Sequence, residues 1–170
     1  MINAPIPPDE QSRLDALYKL GLLDTPPEER FDRITGEAVR RFNVMLSSIT
    51  LIDKDREWFK SCAGIPTNKE GPREISFCGY ALTQKDIFVI EDTTKDPRFV
   101  DNPYVTGPPF VRFYAGVALH DALTNQPIGV FCIKDNKPRS FNEQDISDLL
   151  NFAKLAEKEL NTKQPAQTQP

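Results

Sequence analysis

The chain has 170 residues, and 21 Lys+Arg against 25 Asp+Glu leave a formal charge of −4. That length suits one domain around one core, and 39% hydrophobic residues with 11 Phe supply the apolar mass that a disordered composition lacks. A mildly acidic balance without a Lys/Arg cluster argues against nucleic acid as a partner.

Pro5, Pro7 and Pro8 predict an extended lead-in at the N-terminus. Asp9–Leu20 predicts a helix with Leu14, Leu17 and Tyr18 on one face and Gly21 as its stop. Thr25-Pro-Pro-Glu28 reads as a capping box, with Thr25 as the cap of a helix running to about Phe42. Phe31, Ile34, Ala38, Val39 and Phe42 recur at the steps of one helical face. From Val44 the period changes. Val44–Ile52 predicts a strand buried on both faces, Asp53–Arg56 a polar turn, and Glu57–Ala63 the return strand of a hairpin. Gly64–Glu74 reads as loop, Ser76 as the cap of a short helix through Leu82, and Ile87–Ile90 as a third strand.

Residues 91–109 carry four prolines and no sustained period, and a loop of that length inside a domain is usually functional or disordered. Val111–Leu119 and Ile128–Asp135 predict two apolar strands joined by a polar turn near Asn125. Asn142 opens the last helix, where Ile146, Leu149, Leu150, Ala153, Ala156 and Leu160 form a stripe. Residues 161–170 read as a disordered tail or linker. Strands joined mostly by hairpins predict an α+β fold with an antiparallel sheet of five strands.

No run approaches the roughly 20 apolar residues that span a bilayer, and Met1–Glu10 lacks a basic start with an apolar core, so a protein free of the membrane and cytoplasmic is expected. Three cysteines, Cys62, Cys78 and Cys132, without CxxC spacing, indicate neither a disulfide framework nor a structural zinc site, and no metal site is expected. His120, the only histidine, reads as a solvated turn residue.

Five strings carry a family likeness in order along the chain: Arg56-Glu-Trp58-Phe59-Lys60-Ser61, Ser76-Phe77-Cys78, Asp92 with Asp96-Pro97-Arg98-Phe99, Arg112-Phe113-Tyr114-Ala115-Gly116, and Gly129-Val-Phe-Cys132-Ile-Lys-Asp135. They resemble a GAF domain, closest to those at the N-termini of bacterial sensor histidine kinases and diguanylate cyclases. The resemblance covers 12–160, leaving 1–11 as lead-in. It implies a PAS-like six-stranded antiparallel sheet, with terminal helices on one face and a pocket under a short helix plus long loop on the other. The sixth strand is then expected within 64–75 or 104–111.

On this reading the expected ligand-binding residues are Trp58, Cys78, Asp92, Phe99, Arg112, Tyr114 and Cys132. Each has a plainer role beside it. Asp96 can cap a turn that starts at Pro97, with Arg98 as its ion-pair partner. Arg112 lies among apolar neighbours, so it needs either an anionic ligand or a carboxylate such as Asp92, Asp96 or Asp101. Cys78 near a helix start is placed for a lowered thiol pKa, or is a small buried hydrophobe. Cys62 and Cys132 read as core, and Trp58 as a packed strand aromatic or a stacking surface. Strand alternation sets Arg112 and Tyr114 on the loop face and Phe113 on the helix face, and Gly116 leaves space near the sheet.

The resemblance implies a sensory or regulatory domain of bacterial signal transduction that binds a small molecule of unknown identity. It is expected to have no enzymatic activity, to form a homodimer through the terminal helices, and to act on a histidine kinase or diguanylate cyclase effector in cis or in trans. The alternative is a thiol enzyme like the free methionine-(R)-sulfoxide reductases, which are GAF proteins. Phe77-Cys78-Gly79 falls near one of their cysteines, whereas their attacking cysteine belongs in a long loop that here, over 91–119, holds none.

Overall fold

The computed structural model describes residues 2–163, so most of the tail expected at 161–170 lies outside the described residues. Helix α1 (Glu10–Lys19) and helix α2 (Glu29–Phe42) form where the apolar periods place them. Thr25, however, does not cap α2. Glu28 holds the cap position without a side-chain bond. The Thr25 hydroxyl donates to the Leu22 carbonyl and accepts from Lys60 Nζ, because a buried ammonium claims that oxygen first.

The sheet has six antiparallel strands in the order β3-β2-β1-β6-β5-β4, namely β1 (Leu46–Ile52), β2 (Arg56–Gly64), β3 (Glu70–Pro72), β4 (Phe88–Ile90), β5 (Phe113–His120) and β6 (Pro127–Asp135). The sixth strand is β3, in the first of the two segments the resemblance offered, 64–75. It pairs Glu70–Pro72 with Arg56–Trp58 at the sheet edge, where Pro72 costs no ladder bond. The β1–β2 register shifts between Ile49 and Thr50, opposite Ser61 and Phe59, so Lys60 is a bulged residue. That extra residue brings Lys60 and Ser61 together toward α2, where Ser61 Oγ donates to Asp32 at 2.7 Å and Lys60 Nζ meets Glu28 Oε2 at 2.7 Å.

Two cores lie on the two faces. On one, α1, α2 and helix α5 (Glu143–Leu160) cover Ile49, Leu51, Trp58, Phe113, Phe131 and Ile133. On the other, helix α3 (Phe77–Ala81) and the 91–111 segment, with helix α4 (Pro103–Thr106), cover Tyr114, Val130 and Cys132. Period-two alternation explains the division, since Phe113 and Tyr114 go to opposite cores as expected. Ser76 caps α3 by accepting from Gly79 N at 3.0 Å. A capping box joins Asn142 and Asp145 at the start of α5, and a cap of this kind stabilises its helix by about 1 kcal/mol.

The α5 stripe is narrower than its sequence period implies. Leu149, Ala153, Ala156 and Leu160 are buried, but Leu150 is exposed and Ile146 half-buried. Phe152, which lies off that stripe, is half-buried against the rings of Phe42 and Phe131, whereas Leu155 is 50% exposed. Among the described residues no helix is long and apolar enough to cross a membrane.

Candidate functional site

The seven expected site residues do not share one pocket. Cys78, Phe99, Tyr114 and Cys132 meet under α3, but they are packed solid rather than arranged around a space. Phe77 stacks on Phe99 with centroids 4.6 Å apart and on Tyr114 at 5.3 Å, and Tyr80 meets Phe99 edge-on at 4.7 Å. The space expected beside Gly116 is filled by the Tyr114 ring and hydroxyl, which stand where a side chain at 116 would lie. Trp58 points to the opposite face, into the helix-side core. Asp92 caps a 3-10 turn over Thr93–Lys95 by accepting from Thr94 N.

Arg112 is the sharpest departure. It precedes β5 rather than lying on it, and its Nη1 donates to the carbonyls of Val105 at 2.8 Å and Val111 at 3.2 Å. Backbone oxygens thus take the role expected of a carboxylate, and the guanidinium ties the long loop to the start of the strand. Asp96 and Arg98 follow the plainer reading: Asp96 accepts from Arg98 N, Nε and Nη2, and that guanidinium lies over the Phe88 and Phe99 rings.

The buried thiols differ in charge propensity. Burial pushes Cys78 well above the ordinary thiol range, and its contact with Cys132 adds to the rise, which favours the small buried hydrophobe over the thiol with a lowered pKa. For Cys132 burial also raises the pKa, but contact with Cys78, the Lys134 charge and the Ser48 hydroxyl at 3.1 Å outweigh it and hold the thiol low. Tyr114 Oη lies 3.2 Å from Cys78 Sγ.

The open space lies one step along the same face, toward β2 and β3. A cavity of about 450 Å³ is bounded by Glu57 and Phe59 of β2, Glu70 of β3, Lys134 of β6, the 65–68 segment, Tyr104 of α4, and Pro108, Pro109 and Val111. Two charged side chains in its wall are buried, Glu57 at 1% and Lys134 at 7% exposure. Glu57 Oε1 has no hydrogen-bond partner. Burial raises the Glu57 pKa, with Lys134 and Ser76 only partly opposing it. Burial would lower the Lys134 pKa, yet Glu57 and the neighbouring thiols outweigh it and keep the ammonium charged. Lys134 Nζ sits 5.9 Å from the Phe59 ring and 6.0 Å from those of Phe77 and Tyr114, which links the cavity to the thiol core.

Neither residue was singled out in the sequence, although both lay in the quoted strings. The usable signal was strand alternation. Lys134 follows Cys132 by two and Glu57 precedes Phe59 by two, which sets all four on the loop face. Among the described residues no group of three His, Cys, Asp or Glu is placed to hold a metal ion.

The family model for the GAF domain matches residues 26–160. A cyclic di-GMP phosphodiesterase of Pseudomonas aeruginosa is 39% identical over 163 residues, covering 95% of this chain and 27% of that protein. The chain therefore spans about a quarter of the length of that curated relative. The GAF domain of an Acinetobacter phosphoenolpyruvate-protein phosphotransferase superposes with a TM-score of 0.61 at 17% identity, covering 88% of this chain and 92% of that one. A Neisseria meningitidis free methionine-R-sulfoxide reductase, solved with its substrate, gives 0.62 at 17% identity over 95% of this chain and 98% of that one. At those identities the two structures establish the fold alone. The expectation of a module with no enzymatic activity is corrected here, since the relative at 39% identity carries the name of an enzyme.

Proposed function

The chain belongs to the GAF domain family, and from that premise we propose that it is a small-molecule-binding sensory domain of a signalling protein, with the ligand held in the cavity beside Glu57 and Lys134. The observation that carries the reading is a cavity of about 450 Å³ against the sheet with two buried charges in its wall, within the size range of ligand pockets and lined by both apolar and polar side chains. A ligand there bears on β2 and β6, whose other face packs against α1, α2 and α5. Differential affinity for two arrangements of those helices would pass binding on as a population shift. The name of the 39% identical relative moves the proposed output from a histidine kinase or diguanylate cyclase to hydrolysis of cyclic di-GMP, in the same polypeptide or a partner. A second copy packed on α5 completes the proposal, supported by the exposed Leu150 and Leu155.

The experiment is native mass spectrometry of the protein purified from cells. The reading expects a retained small molecule, lost when Asn68→Trp fills the cavity mouth. Protein of bare chain mass that gains no adduct from a cell metabolite extract would refute it.

Thiol chemistry is the second reading, favoured by the low-held Cys132 in contact with Cys78. Thioredoxin-coupled NADPH consumption on free methionine sulfoxide tests it, and absence of turnover removes it.

A further inference from the structure

The unpartnered oxygen of Glu57 carries information about what fills the cavity. A buried carboxylate oxygen without a donor is a desolvation cost that the fold leaves uncompensated. Lys134, buried in the same wall, brings three N–H donors. Among the described residues it meets three rings at the edge of cation–π range and the through-space charges of Glu57 and the thiols. The two side chains reach the cavity from β2 and β6, strands separated by β1. The site thus offers an acceptor and a donor of opposite charge, rather than one neutralised pair. Phe59, Ile65, Pro108 and Val111 supply apolar wall, Thr67, Asn68 and Tyr104 neutral polar groups, and the one further carboxylate, Glu70, is paired with Arg56 at 3.1 Å.

We propose that the cavity takes a small zwitterion with an apolar body, its ammonium donating to the Glu57 carboxylate and its carboxylate accepting from Lys134 Nζ. This rests on the cavity being the ligand site, as proposed above. The charges exclude simpler occupants. An anion would satisfy Lys134 but stand against Glu57, a cation would do the reverse, and a hydrocarbon would leave both charges buried and unpaired. A net-neutral molecule with separated charges meets both, and its two charge-assisted bonds are of the stronger kind.

The test is calorimetric titration of the full chain with L-leucine and L-phenylalanine, set against isocaproate, which lacks the amino group of leucine, and isoamylamine, which lacks its carboxylate. At least one zwitterion should bind, and its single-charge analogue should bind about tenfold or more weaker, the loss expected for a charge-assisted hydrogen bond. Glu57→Gln and Lys134→Met should each weaken the zwitterion by a similar factor. The analogue comparison uses the unaltered chain, so a variant that fails to fold does not weaken the test. Equal binding of analogue and zwitterion, or no binding of either amino acid at about 10 mM, overturns the inference. If native mass spectrometry then shows a retained molecule that is not zwitterionic, the inference falls while the cavity reading stands. If nothing is retained and nothing binds, both fall.

Discussion

Glu10, in the first turn of α1, receives both terminal nitrogens of Arg73 from 63 residues away, at 2.6 and 3.1 Å. The same carboxylate also takes the Nε and Nη2 of Arg13, whose side chain is fully buried. One carboxylate therefore bridges two buried guanidiniums and fastens the N-terminal helix to the segment that follows β3. The 3-10 turn at Arg73–Ile75 leads directly into α3, so this bridge also fixes where the loop-face core begins.

Glu10→Ala should be strongly destabilising. It leaves two buried arginines without their carboxylate, and breaking a buried pair by removing one partner costs about 3–5 kcal/mol. Glu10→Gln should recover part of that loss, because the amide oxygen still accepts. Urea unfolding followed by circular dichroism reads both, and a loss under about 1 kcal/mol for Glu10→Ala would show the bridge to be incidental.

Stability should carry two pH dependences of opposite sign. Burial alone would raise the Glu10 pKa, but the bonds from Arg13 and Arg73 outweigh it and hold the carboxyl below its ordinary 4.5. Its stabilisation is then complete above pH 4.5 and lost as pH falls through the lower folded-state value. Glu57 is raised by burial, so the folded state holds its proton more tightly. Its contribution is favourable at acid pH and is lost as pH climbs from 4.5 past the raised value. Glu57→Gln should remove that decline and leave the acid limb intact. Melting temperatures of both proteins across the acid to neutral range, without ligand, measure it. A decline that persists in the variant would assign it to another group.

Gly64→Ala should cost more than an ordinary surface change. Gly64 ends β2 at φ +106°, a conformation that L side chains rarely adopt, and an added Cβ would run into the Met45 carbonyl. Backbone cannot move aside as a side-chain tip can, so the loss should reach about 2 kcal/mol or more. The substitution should also disturb the neighbouring cavity wall at Ile65 and Pro66. Unfolding midpoints in urea, with the m-value monitored, check the first point. A neutral result would mean the turn relaxes freely.

Most of the fold was legible because helix and strand periods differ and these segments follow one or the other closely. The α2 face, the β1–β2 and β5–β6 hairpins, and the caps at Ser76 and Asn142 are local signals, and each forms where it was read. Strand β3 was hidden because three residues containing Gly and Pro have no period. Its identity comes from pairing with Arg56–Trp58, a non-local fact. The expected pocket and the open cavity differ in place for a related reason. Alternation told which face Tyr114 and Cys132 join, but not whether that part of the face is filled. Phe77 and Phe99 stack over them and close it, whereas opposite Glu57 and Lys134 the covering segments leave room. Trp58, next to Glu57 in β2, faces the helix-side core, as the two-residue period of that strand sets it.

The last expectation concerns the outer face of α5. Leu155 is 50% exposed and lies beside Phe152, Glu37, Arg41, Asp148 and Asn151 in a shallow depression between α2 and α5. Arg41 there is held by Asp145 and Asp148, with the closest approach 2.6 Å to Asp148, so the depression has an apolar floor and a charged rim in which carboxylates outnumber the one guanidinium. Such a surface can meet its own copy about a two-fold axis, each Leu155 entering the opposite depression. Leu155→Asp would place a charge at the centre of that contact, and a buried unpaired carboxylate disfavours association far more than it disturbs an exposed helix position. The dimer dissociation constant should rise by about tenfold or more while the melting temperature of the monomer changes little. Size exclusion with light scattering across a concentration series reads the first quantity and a thermal melt of the dilute protein the second. A monomer at every concentration before substitution would remove the proposed dimer, and a dimer indifferent to Leu155→Asp would place its interface elsewhere.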